Sequence, residues 1–281
     1  MRWFCALLIF ITCAQVVRAE APPRLLSLAP NITELAYAAG AGDHLVGTVE
    51  YSDYPAAART LPRVGDAFRV DMERVLALHP DVVLAWESGT PRQIVERLQQ
   101  LGLHVVAIDA HRVADVRMAL LKIGTLAGTG QIATRAADEF DASMAKLRNY
   151  YAGRARVSVF IQVGDRPLYT VNGEHIMSEV VELCGGTNVF ANLQQLAPVV
   201  SIEAVLAANP DVILAMSDTV PDARAAWSRW SQIAAVRNNN VFTVPSDDIA
   251  RTTLHLTRGA QTVCEDLERA RRPTVSASSG R

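Results

Sequence analysis

A pair of similar α/β lobes, each built on a parallel sheet and joined by one long backbone helix, is the fold class that the sequence predicts. Three features predict it. The first is a repeat: Val70 to Trp86 (VDMERVLALHPDVVLAW) returns as Val200 to Met216 (VSIEAVLAANPDVILAM) at an offset of 130, with ten of the seventeen positions identical. Two copies of one unit imply two lobes. The second is the strand inside each copy, Val82-Val83-Leu84-Ala85 and Val212-Ile213-Leu214-Ala215. Being apolar at every position, these strands suit a parallel sheet covered by helices on both faces. The third is Gln131 to Ala152, where Ile132, Ala136, Phe140, Met144, Leu147 and Tyr151 recur at steps of four and three between charged residues. That is the stripe of an amphipathic helix, and its 22 residues reach about 33 Å, enough to run along both lobes.

Taken in order, Leu25 to Pro30 (LLSLAP) reads as a strand ending in a turn, with Asn31 or Thr33 placed to cap a helix containing Glu34, Leu35 and Tyr37. Gly40 to Gly42 closes that helix. A short echo lays Glu34 to Gly40 (ELAYAAG) on Glu179 to Gly185 (EVVELCG). Leu45 to Val49 is the next strand, and a loop from Glu50 to Arg63 carries Tyr51, Tyr54, Pro55 and Pro62. Within the repeats, Asp71 or Ser201 can accept the free amides of a short helix, and His79-Pro80 or Asn209-Pro210 stops it, because proline has no amide hydrogen to give. Ile94, Val95, Leu98 and Leu101 mark a further helix, ended by Gly102, before the strand Val105 to Ile108. The second lobe restarts at Val157 to Ile161 and runs to a helix around Thr253 to Arg271. The expected divisions are a signal peptide at 1–19, a lobe at 20–130, the linking helix at 131–152, a second lobe at 153–272 and a disordered tail at 273–281.

The signal peptide is read from Arg2, the apolar run Trp3 to Val17, and Val17-Arg18-Ala19, which has small residues at the positions a signal peptidase reads. An exported protein that begins at Glu20 keeps 25 basic and 29 acidic residues, a net charge of −4, so nothing in it attracts nucleic acid. It also keeps two cysteines, Cys184 and Cys264. These are either a disulfide, which an oxidising compartment favours, or two buried thiols.

Enzyme signatures are missing: there is no G-x-S-x-G elbow, no P-loop, and no third glycine after Gly40-Ala41-Gly42. The six histidines form no H-x-x-x-H or HExxH pair, so no metal site and no cofactor are expected. Aromatic residues are the better lead. Tyr51, Phe68, Trp86 and Tyr169 fall in loops or at the carboxyl ends of strands, the edge where open α/β sheets bind ligands. Together they suit a flat, largely apolar ligand held between two lobes. Asp247 and Arg251, four apart, make either a helix salt bridge or polar contacts at the cleft.

With Ser27 to Leu35 (SLAPNITEL), Tyr51 to Pro55 (YSDYP), the two repeats, Leu183 to Gly186 (LCGG), and Ser246-Asp247 followed by Arg251, the chain resembles the periplasmic cobalamin-binding proteins of ABC importers. The resemblance covers nearly all of the sequence after residue 19. It implies a monomeric receptor that captures cobalamin or a related corrinoid and delivers it to a two-subunit permease without chemistry. A haem or iron-siderophore receptor of the same fold is the alternative. By the same resemblance Tyr51, Trp86, Tyr169, Asp247 and Arg251 are ligand contacts, with Tyr169 where a phenylalanine is usual, and Cys184 and Cys264 match a disulfide of the family. Phe68 falls near a tryptophan of the pattern, and Ala197 stands where another would cover the ligand. Glu73 and Glu203, at the same place in the two repeats, become docking carboxylates for permease arginines. A single rigid helix between lobes further implies that free and bound forms differ little.

Overall fold

In the N-terminal lobe, β1 (Leu25–Ser27), β2 (Leu45–Gly47), β3 (Val82–Trp86) and β4 (Val105–Ile108) pair in parallel in the order β2-β1-β3-β4. The structure is a computed structural model that describes residues 21–66 and 68–272. The expected signal peptide, its cleavage before Glu20 and the tail from Pro273 lie outside the described residues. Helices α1 (Pro30–Ala38), α2 (Met72–Ala77), α3 (Arg92–Gln100) and α4 (Val113–Ala127) follow or precede these strands in the expected alternation, and α5 (Gly130–Tyr151) leads out of the lobe.

The second lobe repeats the plan. Strands β5 (Val157–Gln162), β6 (Gly186–Asn188), β7 (Val212–Met216) and β8 (Val241–Val244) pair in parallel as β6-β5-β7-β8, the first order advanced by four. Around them lie α6 (Ile176–Leu183), α7 (Ile202–Ala208), α8 (Ala223–Trp227), α9 (Ala234–Arg237), α10 (Ser246–Ile249) and α11 (Leu256–Arg271). The central strands β3 and β7 are buried along almost their whole length, which is why both carry apolar residues on both faces.

The repeats fold alike for the reasons their residues supply. Asp71 accepts the N–H groups of Glu73 and Arg74, each at 3.1 Å, and Ser201 accepts that of Ala204 at 3.2 Å. Past the helices, His79 (φ 45°) and Asn209 (φ 42°) turn left-handed, so the chain leaves each helix one residue before its proline. The short echo is equally structural: Gly40 (φ 77°) and Gly185 (φ 75°) occupy the same left-handed position after α1 and α6.

Three local expectations change. Helix α1 begins at Pro30, whose fixed φ suits the first helical position, so Asn31 and Thr33 lie inside the first turn and neither caps it. The Thr33 hydroxyl instead bonds the Ser27 hydroxyl at 2.9 Å and the Ala29 carbonyl at 3.2 Å, tying α1 to β1. Strand β2 stops at Gly47, since the Thr48 N–H is taken by the Pro62 carbonyl at 2.9 Å. On α5, Ile132 is 50% exposed, and the seam starts at Ala133 and Ala137 before joining Phe140, Met144 and Tyr151. The cause is the close approach of α4: a Cβ on Gly124 would lie 2.3 Å from that of Ala133, a gap only small residues fill.

Cys184, just after α6, and Cys264, within α11, form a disulfide with their Cα atoms 4.7 Å apart, closing a loop of 80 residues inside the second lobe. Both are fully buried, but they are bonded, which excludes the pair of free thiols. Replacing both by alanine is expected to lower unfolding stability by about 2–4 kcal/mol. Denaturant midpoints under non-reducing conditions measure it, and reduced wild-type protein should fall to the same midpoint.

Candidate functional site

Because every strand in a sheet points the same way, the loops that follow the strands gather at one edge, and the two lobes turn these edges toward each other. Between them lies a cavity of about 410 Å³. The first lobe contributes Pro30, Asn31, Trp86 and His111; the second contributes His175, Leu196, Arg251 and Thr252.

Trp86 ends β3, with its N–H bonded to the Thr90 hydroxyl at 3.0 Å. Its ring lies flat against Gly89, where an added Cβ would fall 1.8 Å from the indole, so glycine there sets the ring's pose. The indole N–H is buried and has no partner among the described residues, an arrangement stable proteins seldom leave without a function.

Arg251 follows α10 and forks between two acids: Nη2 lies 2.9 Å from Asp247 Oδ1, and Nη1 lies 3.2 Å from Glu34 Oε1 across the lobe boundary. The Asp247–Arg251 ion pair thus forms, with Arg251 just beyond the end of α10 and its side chain also lining the cavity. Glu34 is 7% exposed, and burial pushes its carboxyl above the ordinary 4.5, opposed by His255, Thr253 and Arg251. Its second oxygen has no hydrogen bond and stands 3.5 Å from His255 Nδ1. Tyr54 packs edgewise on the His255 ring at 4.1 Å, and the Thr252 hydroxyl donates to the Ala110 carbonyl at 2.9 Å, both again between lobes.

Residues 25–247 match the family of proteins described as periplasmic binding proteins. The chain belongs to that family. It is 35% identical over 254 residues to a vitamin B12-binding protein of Vibrio parahaemolyticus, covering 90% of this chain and 92% of the relative. The crystal structure of the periplasmic vitamin B12 binding protein BtuF of Vibrio cholerae superposes with a TM-score of 0.83 at 33% identity, covering 89% of this chain and 98% of that one. The periplasmic heme-binding protein RhuT of Roseiflexus sp. RS-1 shares the fold, with a TM-score of 0.78 at 19% identity, covering 89% of this chain and 99% of that one.

In this periplasmic binding protein the residues singled out from the sequence do not all converge. Trp86 and Arg251 meet in the cavity, and Asp247 reaches it through Arg251. Tyr51 and Phe68 are 74% and 73% exposed on the loops between β2 and α2, and Tyr169 is 38% exposed after β5; none lines the cavity. Glu73 and Glu203 are exposed in the first turns of α2 and α7. Each of these helices runs back to the start of the next strand, so both carboxylates stand on the cleft-bearing side. Hydrogen bonds from its own N–H and from Ser201 hold the Glu203 carboxyl below its usual value.

Sequence reasoning missed His111, His175 and Leu196 as cleft groups and Glu34 as the buried partner of Arg251. The signal for Glu34 was present, since the echo that pairs it with Glu179 carries the same letter twice. Leu196, 52% exposed and adjacent to Ala197, supplies apolar surface beside the position where an indole was expected.

Arg251→Ala would leave the Glu34 carboxylate buried without its guanidinium partner. Since the folded-state pKa of Glu34 lies above 4.5, its charged form opposes folding, so the cost is small below that pH and grows as pH rises through the folded value. The variant is expected to lose about 1–3 kcal/mol relative to wild type at pH 7.5 and distinctly less at pH 4.5. Paired denaturation curves at the two pH values check the sign.

Proposed function

We propose that this periplasmic binding protein captures cobalamin or a closely related corrinoid between its lobes and delivers it to an ABC-type permease, without catalysing a reaction. The observation that carries the reading is the likeness, over nearly all of both chains, to a vitamin B12 binding protein at a TM-score of 0.83 and 33% identity. The cleft agrees with it chemically. Trp86, Leu196 and Ile176 offer apolar surface for a macrocycle, while Arg251 and Asn31 offer donors for its amide rim. Tyr51, Phe68 and Tyr169, exposed on loops beside the cavity, supply aromatic cover when the ligand arrives.

Delivery uses Glu73 and Glu203. Related by the repeat and solvated on one side of the molecule, they present two matched negative charges to a twofold partner. A carboxylate in the first helical turn is also favoured by the helix dipole, and that role holds at the same time. The receptor works as a single copy, one corrinoid per chain. The alternative cargo is haem, which the two cleft histidines, His111 and His175, make the natural competitor.

Calorimetric titration of purified protein with cyanocobalamin, cobinamide and haem decides among these. One corrinoid per chain, bound more tightly than haem and quenching tryptophan fluorescence, is expected, and Trp86→Ala should weaken it by about 1–3 kcal/mol. No binding of any corrinoid would end the reading. For docking, Glu73→Ala combined with Glu203→Ala is expected to leave corrinoid affinity and melting temperature nearly unchanged while reducing permease association and uptake. Normal transport by the double variant would reduce the two glutamates to helix-start residues.

A further inference from the structure

Two histidines line the cleft, and their hydrogen bonds give them opposite chemistries. His175 precedes α6, and its Nδ1 accepts the Met177 N–H at 3.2 Å. That lone pair is spent, and the neutral ring offers only Nε2–H, a donor. Burial pushes the His175 pKa down to about 4, which keeps the ring neutral in ordinary conditions. His111 is arranged the other way. Its Nε2 lies 2.9 Å from Asp109 Oδ1, and an ionised carboxylate can only accept, so in the neutral ring Nε2 carries the proton and Nδ1 keeps its lone pair. Among the described residues Nδ1 has no hydrogen-bond partner, and the side chain is 49% exposed.

The strand register builds this arrangement. Trp86 pairs with Ile108, the last residues of β3 and β4, and the Glu87 N–H donates to the Ile108 carbonyl at 3.1 Å. Glu87 and Asp109 therefore emerge side by side just past the sheet edge, and donor atoms of Glu87, Asp109 and His111 all lie within 4.8 Å of one another. The His111 backbone is held as well, its N–H bonded to Asp115 Oδ2 at 2.9 Å ahead of α4. A histidine whose far nitrogen is bonded to a carboxylate is the usual form of a metal-binding imidazole, since the carboxylate sets the tautomer and raises basicity. The charge of Glu87 nearby adds attraction for a cationic metal centre.

We propose that His111, oriented by Asp109, is an axial ligand to the cobalt of the bound corrinoid, so that the receptor distinguishes corrinoids with an exchangeable axial water from those whose axial positions are capped. The proposal rests on the corrinoid reading given above. The step is a ligand exchange: the cobalt–oxygen bond to water breaks, a cobalt–Nδ1 bond forms, and water leaves. Cobalt keeps its oxidation state, and the Nε2 proton stays between His111 and Asp109.

The test uses chelator-treated, full-length mature protein with diaquocobinamide and, separately, dicyanocobinamide, followed by visible spectroscopy and calorimetry. Wild type is expected to shift the bands of the diaquo form toward those of a nitrogen-bound corrinoid and to leave the dicyano spectrum unchanged. His111→Ala should bind both forms with similar affinity and give no band shift until free imidazole is added. Asp109→Asn should need about tenfold more protein for the same shift. A band shift that survives in His111→Ala, or wild-type binding by calorimetry with no shift, overturns the proposal while leaving corrinoid capture standing. Absence of calorimetric binding for both corrinoids removes the functional reading, and this proposal with it.

Discussion

Each lobe holds the other by one carboxylate. Glu34, on α1 of the first lobe, reaches Arg251 after α10 and His255 at the start of α11 in the second, while Glu179, on α6 of the second lobe, accepts the Val113 N–H at 3.0 Å and faces Arg112 at 3.7 Å at the start of α4 in the first. The two glutamates are equivalent by the 145-residue echo, and the helices they engage each follow the last strand of a sheet. The contacts are thus one crossed pair, repeated by the internal symmetry. They are not energetically alike. Glu34 is desolvated and keeps an unpaired oxygen, whereas the Glu179 side chain is 23% exposed and completes the first turn of α4. A charged hydrogen bond such as that of Glu179 contributes roughly 1.5–3 kcal/mol when well formed, whereas burial outweighs the partners of Glu34, whose contacts fix the relative placement of the lobes rather than add stability.

The cleft depends on that placement. Arg251 is held in position by Glu34 from one lobe and Asp247 from its own, so the guanidinium that lines the cavity also closes the boundary between lobes. Behind the cleft, α5 packs along α4 through the Gly124–Ala133 approach and contacts α11 and α6, giving the two lobes a shared rigid wall. In the proposed capture, such a frame calls for side-chain adjustment by the exposed Tyr51, Phe68 and Tyr169 and little movement of the backbone. The carboxylates proposed for docking, Glu73 and Glu203, would then keep a fixed separation, which suits a partner that reads two charges at once.

What the sequence disclosed, and what it hid, follows from the range of the interactions. The repeat made two lobes legible because capping by Asp71 and Ser201, and termination before Pro80 and Pro210, are local events written in adjacent residues. The long helix was legible from its period, but its buried edge was placed one residue away, at Ile132, because the choice belongs to Gly124 on a neighbouring helix. Pro30 starting α1 was likewise overlooked in favour of polar residues just beyond it. In the site, Trp86 and Arg251 could be named from strand-end and spacing arguments. The Glu34 to Arg251 pair spans 217 residues, and the roles of His111 and His175 are set by which ring nitrogen each hydrogen bond consumes, so neither is visible in composition or period. The rim aromatics lie on loops, and only packing decides which way they turn.

If the crossed glutamates hold the lobes ready for the ligand, the proposed capture proceeds without domain closure. Pulsed electron-spin distance measurement between labels at Gln99→Cys in α3 and Gln232→Cys near α9, both exposed positions, tests this directly, since among the described residues both cysteines are joined in the native disulfide. A fixed frame gives one narrow distance distribution whose centre moves by less than about 2 Å on saturation with cyanocobalamin. A broad distribution in the free protein that contracts well beyond about 2 Å on binding would contradict it.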